Sequence, residues 1–406
     1  MPTLRSASVG FWVGSGARDE PDALAGASHF LEHLLFKGTD RRSAAEIAES
    51  VESVGGDMNA FTSHELTSFY VRVPDRQLPL AVDILSDIVW SPALRPDEVE
   101  SERKVILEEI RTRDDDPDDL VVDAFAGAVF PGHPIGREIV GSRETIEGMP
   151  RSEIATYHRT HYRPDNLVVA AAGNVEHDAV VALVEEGLRE HDAPARPDRI
   201  LHDGEPGPEL LAVIEDDLEQ VHLVLGMRAL AVDDPDRYAF GVLNQVLGGG
   251  MSSRLFQEVR EQRGLAYSVY SFRAAYAETG ALGIYAGTAP ERVGELLEVL
   301  HAQLDRLVAD GGVTARELDA AKGHIVGSAA VSLESSSSRM NRIGQSLLVQ
   351  GEVPALDEVV ARYDAVTAAD VARVVERVLV DAPRTLAAVG PVTEAELVTA
   401  GARPAV

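Results

Sequence analysis

The stretch SHFLEHLLFKGT, residues 28–39, sets His29 and His33 four residues apart, with Glu32 directly before the second histidine. On an α-helix, side chains at i and i+4 share a face with Cβ atoms about 5–6 Å apart, so both imidazoles can reach one metal ion. Glu32 projects near the same face, where it could take a proton from a water on that metal. Such a set of roles is the chemistry of metal-assisted hydrolysis. The same five residues also describe an ordinary helix whose histidines are solvated or satisfied in a core. By themselves they leave both readings open.

A three-ligand catalytic zinc site needs one more donor. The chain of 406 residues has no cysteine, so that donor would be His, Glu or Asp. The best source is the helical stretch 96–113, where SERKVILEEI offers Glu102, Glu108 and Glu109. Glu102 and Glu109 are seven apart and share a face, whereas Glu108 points about 100° away from Glu109. Val105 and Ile106 are expected on the buried side, which sets Glu102 and Glu109 near the core. An unpaired carboxylate there is costly, and a cation partner would account for both. Surface carboxylates paired with Arg103 or Lys104 account for the same residues. Other polar stretches read as structural. DDDPDD (114–119) supplies Asp118 as a helix N-cap, and SSSS (335–338) starts a helix. His64, His133, His158 and His161 are structural or surface residues on this reading.

These side chains need elements to hold them, and the chain writes one plan twice. FYVRVPDRQLPLAVDILSDIV (69–89) and GIYAGTAPERVGELLEVLHAQL (283–304) both read strand, Pro turn, amphipathic helix, with Pro74 matched by Pro290. LRPDEVESERKVILEEI (94–110) is echoed by GVTARELDAAKGHIVGS (312–328). Each half closes with strand, turn and helix, LVVAAAGNVEHDAVVALVEEGL (167–188) and RTLAAVGPVTEAELV (384–398). Three matches in one order predict an internal repeat. The expected fold is α+β, two homologous domains (1–192 and 211–406), each a mixed β-sheet packed with helices. The segment 193–210, rich in Pro, Gly and charge, reads as a linker.

The formal net charge is −30, from 67 acidic and 37 basic residues. That argues against nucleic acid, whose phosphates need a basic surface. The acidic surplus either keeps the surface soluble or attracts cationic peptides. No run approaches the ~18 apolar residues of a membrane span. The first residues, MPTLRSASVGFWVG, lack the pattern of a signal peptide, so a cytoplasmic protein without membrane contact is expected.

HFLEH, followed 76 residues after His33 by Glu109 in VILEEI, resembles the pitrilysin–insulinase family of inverted-motif zinc peptidases. Within that family the chain is most similar to the mitochondrial processing peptidase branch and its bacterial relatives. HLLFKGT, VGGDMNAFTSHELTSFY (54–70), HPIGREIVG (133–141) and LFQEVREQRGLAYSV (255–269) extend the resemblance along nearly the whole chain. It implies one zinc per chain on His29, His33 and Glu109, Glu32 as general base, and Glu102 as an auxiliary carboxylate. It further implies that Met58, Asn59, Ala60 and Phe61 form an edge strand to which an extended peptide adds. Arg260 and Tyr267 would bind substrate, and LGGGMSSRLF (247–256) would be a glycine-rich connection in the same region; it is no phosphate loop, since no Gly-Lys-Ser/Thr follows. The implied activity is zinc-dependent endopeptidase cleavage of peptides or unfolded segments inside a chamber. That chamber would be built by a homodimer or by one copy with a non-catalytic homologous subunit. Two departures stand out. Relatives complete a first strand before the point where this chain starts, so either the natural start lies further upstream or the first sheet is a strand short, and the order of that sheet is left open. The second half also lacks the motif, with Ser328 near the position of Glu109, which makes it a substrate-binding partner. A non-catalytic scaffold is the alternative, against which all four motif residues are present.

Overall fold

The strand β1 (Ser6–Val13) shows why the sequence needs cover on both sides of a sheet. Successive side chains alternate between faces. Ala7, Val9, Phe11 and Val13 enter one apolar core, while Trp12 enters another with Leu66, Ala170 and Met340. With β2 (Asp57–Thr62), β3 (Thr67–Pro74) and β4 (Leu167–Gly173) it forms an antiparallel sheet in the order β2-β3-β1-β4. A second sheet comprises β5 (Leu211–Glu215), β6 (Val221–Ala229), β7 (Val269–Ala275), β8 (Gly280–Thr288) and β9 (Thr385–Gly390). Its order is β5-β9-β6-β8-β7. Strands β7, β8, β6 and β9 thus repeat the order of β2, β3, β1 and β4. Among the described residues parallel pairing enters only through β5 on β9, and β5 has no counterpart on β4. The fold is α+β with an internal repeat.

The computed structural model describes residues 1–188, 197–380 and 382–399. Residues 189–196, which carry the end of the expected first domain and the start of the expected linker, lie outside them. The chain divides into two units. The first holds Met1–Thr112, Arg137–Ile200 and Val331–Val353; the second holds Arg113–Gly136, Leu201–Ala330 and Pro354–Val406. The division is therefore not one cut in the linker. In the first unit α1 (Ala27–Leu35) and α2 (Pro96–Asp114) bury Phe30, Leu31, Leu34, Ile106 and Ile110 in the main core. In the second, α3 (Pro117–Val129), from the earlier half of the sequence, packs on β6 and β9. The converse holds for α4 (Ser336–Gln350), which packs on β1 and β4 of the first unit. Each sheet presents two faces that must be buried, and local helices cover only one. Glycines permit the close approach. A Cβ on Gly226 would come within 2.5 Å of the Phe125 ring, and one on Gly344 within 2.2 Å of the Trp12 indole nitrogen.

The cap of α3 is Asp116, whose carboxylate accepts from the Asp118 N–H, and not Asp118 as expected. Pro117 takes the first helical position, where its missing N–H costs nothing, and fixes the cap one residue earlier. Asp118 accepts instead from the Tyr285 hydroxyl at 2.6 Å. Residues 197–210 contain neither helix nor strand, yet they are fastened. Arg199 pairs with Asp19 in the first unit, and Arg228 donates to the Gly204 and Pro206 carbonyls in the second.

Candidate metal centre

The first helix begins at Gly26, whose φ of 94° suits glycine and whose Cβ would meet the Val140 carbonyl oxygen at 2.6 Å. From there α1 lies against β2 and β3. Its apolar residues point inward and leave His29, Glu32 and His33 half-buried on the remaining face. The two imidazole rings meet edge to face with centroids 4.7 Å apart. On α2, Glu109 brings its Oε2 to 3.7 Å from His29 Nε2 and 3.5 Å from His33 Nε2. No other group of three such side chains close enough to share an ion occurs among the described residues. Donors about 2.0–2.1 Å from a tetrahedral zinc lie about 3.3–3.5 Å apart. The observed separations approach that and exceed ordinary hydrogen-bond lengths, about 2.7–3.2 Å. The two imidazoles and the carboxylate therefore fit a zinc ion.

Beneath them Glu102 is buried, with one oxygen 3.2 Å from His33 Nδ1 and the other accepting from Lys37 Nζ at 2.7 Å. A carboxylate on Nδ1 fixes the tautomer that leaves Nε2 free to ligate. Glu102→Gln is accordingly expected to weaken zinc binding about 10–100-fold, read by competition with a chromophoric chelator. Burial, and then the neighbouring His33, push His29 down to about 4, which keeps it in the neutral, ligating form. Between about pH 6.5 and pH 4 the unfolded chain takes up a proton on His29 that the folded chain refuses. The metal-free protein thus loses stability as the pH falls through that window, by roughly 3 kcal/mol at most. Urea unfolding at pH 7.5 and pH 5 should show a smaller loss in His29→Gln.

Glu32 accepts a hydrogen bond from Thr62 Oγ1 at 2.7 Å. Burial raises its pKa, with Glu109 adding to the rise and Thr62 and His33 opposing it. A carboxyl raised in this way is a better proton acceptor than an ordinary carboxylate and can give the proton back. The strand that carries Thr62, β2, is an edge of its sheet, so one side of its backbone is unpaired within that sheet. Met58 and Ala60 face the core beside α1. Asn59 is exposed, with its Oδ1 accepting from the Ala60 N–H, and Phe61 stands edge-on to Trp12 at 5.6 Å. Arg260 and Tyr267 belong to the second unit, where they meet. The guanidinium lies 4.5 Å from the Tyr267 ring and 4.8 Å from that of Phe256, on a π-helix, Phe256–Gln262. Tyr267 is 79% exposed.

Some expectations shift. Val105 is 42% exposed, so Ile106 and not Val105 marks the buried side of α2. Glu109 shares the Glu102 line but lies about 10 Å further along the helix, and its side chain is 42% exposed. Glu108 pairs outside with Arg111. His158 and His161 are buried, bonded to the Val89 carbonyl and Ser15, and His64 bonds the Arg137 carbonyl. Thr62, Lys37 and Glu20 were not singled out by sequence. Lys37 carried a signal, four residues after His33, and Thr62 shares the strand face of Met58 and Ala60.

Residues 1–143 match the model of the insulinase family, peptidase family M16, and residues 149–324 match that of the M16 inactive domain. An uncharacterized zinc protease of Streptomyces coelicolor is 44% identical over 400 residues, which cover 97% of this chain and 87% of that protein. A protease from Helicobacter pylori has a similar crystal structure, with a TM-score of 0.89 and 26% identity over 96% of this chain and 94% of its own. A chain of complex III2 from Candida albicans shares the fold at a TM-score of 0.83 and 19% identity, covering 99% and 95% of the two chains. At 44% identity to the Streptomyces coelicolor protein over 97% of this chain, the chain belongs to the insulinase–pitrilysin family, peptidase family M16.

Proposed function

We propose that the protein is a zinc-dependent endopeptidase that hydrolyses peptides and unfolded segments. The observation that carries this reading is the convergence of His29, His33 and Glu109 around one small gap, with Glu32 on the same helix face. The names of relatives as zinc proteases point the same way. Bound there by His29, His33 and Glu109, zinc would polarise the scissile carbonyl and acidify water. Glu32 Oε accepts the proton of the attacking water and delivers it to the departing amine, so that one water is consumed for each peptide bond cut. Glu102, itself paired with Lys37, holds the His33 ring during these steps. Asn59, Ala60 and Phe61 offer the β2 edge to an extended peptide, and Arg260 and Tyr267 present a cation and a phenol to the substrate. We assign the working assembly to a homodimer that encloses its substrate, with a non-catalytic homologous subunit as the other arrangement.

The test is cleavage of a mixed peptide library read by mass spectrometry, with and without chelator. Cleavage that chelation stops and zinc restores supports the reading; a zinc-loaded protein that cuts nothing favours the scaffold, to which the complex III2 likeness lends its fold. From the net charge of −30, matched Lys-rich peptides should be cut faster than Glu-rich ones at low salt, the difference shrinking as salt is added.

A further inference from the structure

The N-cap residue of α1, Gly26, has no side chain to satisfy the open N–H groups of the first turn. Glu20 does so from outside the helix. Its Oε2 accepts from the Gly26 N–H at 2.7 Å and its Oε1 from the Ser28 N–H at 2.6 Å. The carboxyl is 4% exposed, and burial pushes its pKa up to about 8 while the two N–H groups pull the other way. Both oxygens accept from N–H groups, which is the geometry of the ionised form, and a negative charge at a helix N-terminus is favoured. The backbone behind Glu20 is anchored. Ala17 and Arg18 donate to the Ser63 and His64 carbonyls, and Arg137 donates to the Glu20 carbonyl. On the other side of the turn, Ser28 Oγ meets the Tyr157 hydroxyl at 2.9 Å, and Tyr157 in turn meets Ser15.

Ser28 directly precedes His29, and His33 follows one turn later on the same rigid helix. Glu109 stands on a different helix, so any slide or tilt of α1 moves both histidines together relative to the third donor. Metal–ligand distances in a genuine site lie within about 0.2 Å of their usual values. We propose that Glu20 is a positioning residue for the metal centre. By gripping the first turn of α1 it sets where His29 and His33 stand against Glu109. The proposal rests on the metal reading of that centre.

The experiment uses cobalt(II) as the probe, since its visible absorption reports ligand geometry without any turnover. Wild type, Glu20→Gln, Glu20→Asp and a matched core variant, Val51→Ala, are compared for thermal stability, cobalt affinity and cobalt spectrum. Val51 is buried in the same unit but on another helix. Glu20→Gln should bind cobalt at least about tenfold more weakly, with an altered spectrum. Glu20→Asp, which keeps the carboxyl group but withdraws it by one carbon, should show a smaller change of the same sign and keeps the comparison open if Glu20→Gln fails to fold. Val51→Ala should lose stability and keep the wild-type spectrum. Wild-type affinity and spectrum in the Glu20 variants, or an equal change in Val51→Ala, would overturn the proposal. Absence of cobalt binding by wild type would overturn the metal reading itself and the proposal with it.

Discussion

Glu32→Gln is expected to lower the rate of peptide cleavage about 10²–10⁴-fold while the zinc content stays at the wild-type level. The amide matches the carboxylate in shape, and its carbonyl oxygen can still accept from Thr62 Oγ1, which holds Glu32 at 2.7 Å. The helix, the imidazoles and Glu109 therefore stay where they are, and what is lost is the capacity to bind a proton. The effect should fall on kcat with KM nearly unchanged, because Glu32 acts on the proton in transit and not on the resting peptide. Loss of the proton acceptor should also remove the acidic limb of the wild-type kcat profile from the residual activity of the variant. Steady-state kinetics with a quenched-fluorescent peptide, together with metal analysis, decides the matter. Retention of more than about a tenth of the wild-type rate would remove Glu32 from the role of base.

The parts of this centre that were legible in the sequence are those fixed by local periodicity. His29, Glu32 and His33 share a face because a helix repeats every 3.6 residues, and the same rule aligned Glu102 with Glu109. Which two helices meet is a tertiary fact, and only the resemblance of HFLEH and VILEEI to a known motif pair joined them. Glu20 lay in a loop with no period to mark it, and its contact with the first turn of α1 arises from the path of the chain between two short turns. The exchange of α3 and α4 was hidden for a related reason. A repeat in the sequence shows which strands correspond but not which helix covers the second face of each sheet. Gly226 and Gly344, each bare where an aromatic ring packs, were the local traces of that cover. Asp116 against Asp118 was a finer matter, which Pro117 could have settled at the outset.

Loss of a ligand should look unlike loss of the base, and Glu109→Gln tests this. Among the three donors Glu109 alone brings a negative charge, and charge is what most separates a carboxylate from an amide as a partner for a divalent ion. Zinc affinity should fall by more than about 100-fold, beyond the 10–100-fold typical of partners that only orient a ligand. The metal-free protein should lose almost no stability, because the Glu109 side chain is 42% exposed and stands 3.5 Å or more from both imidazoles, outside ordinary hydrogen-bond reach. Glu102→Gln should behave otherwise. That carboxyl is 4% exposed and holds both His33 and Lys37, so its replacement unsettles the metal-free fold as well as the metal. Added zinc separates the cases further. Excess metal should restore part of the cleavage lost in Glu109→Gln and none of that lost in Glu32→Gln, whose site is already filled. Titration of each variant with zinc, following cleavage and bound metal in the same samples, reads both outcomes. Wild-type zinc affinity in Glu109→Gln would mean that the metal is held elsewhere, and the gap between the two imidazoles and the carboxylate would lose its meaning as a metal centre.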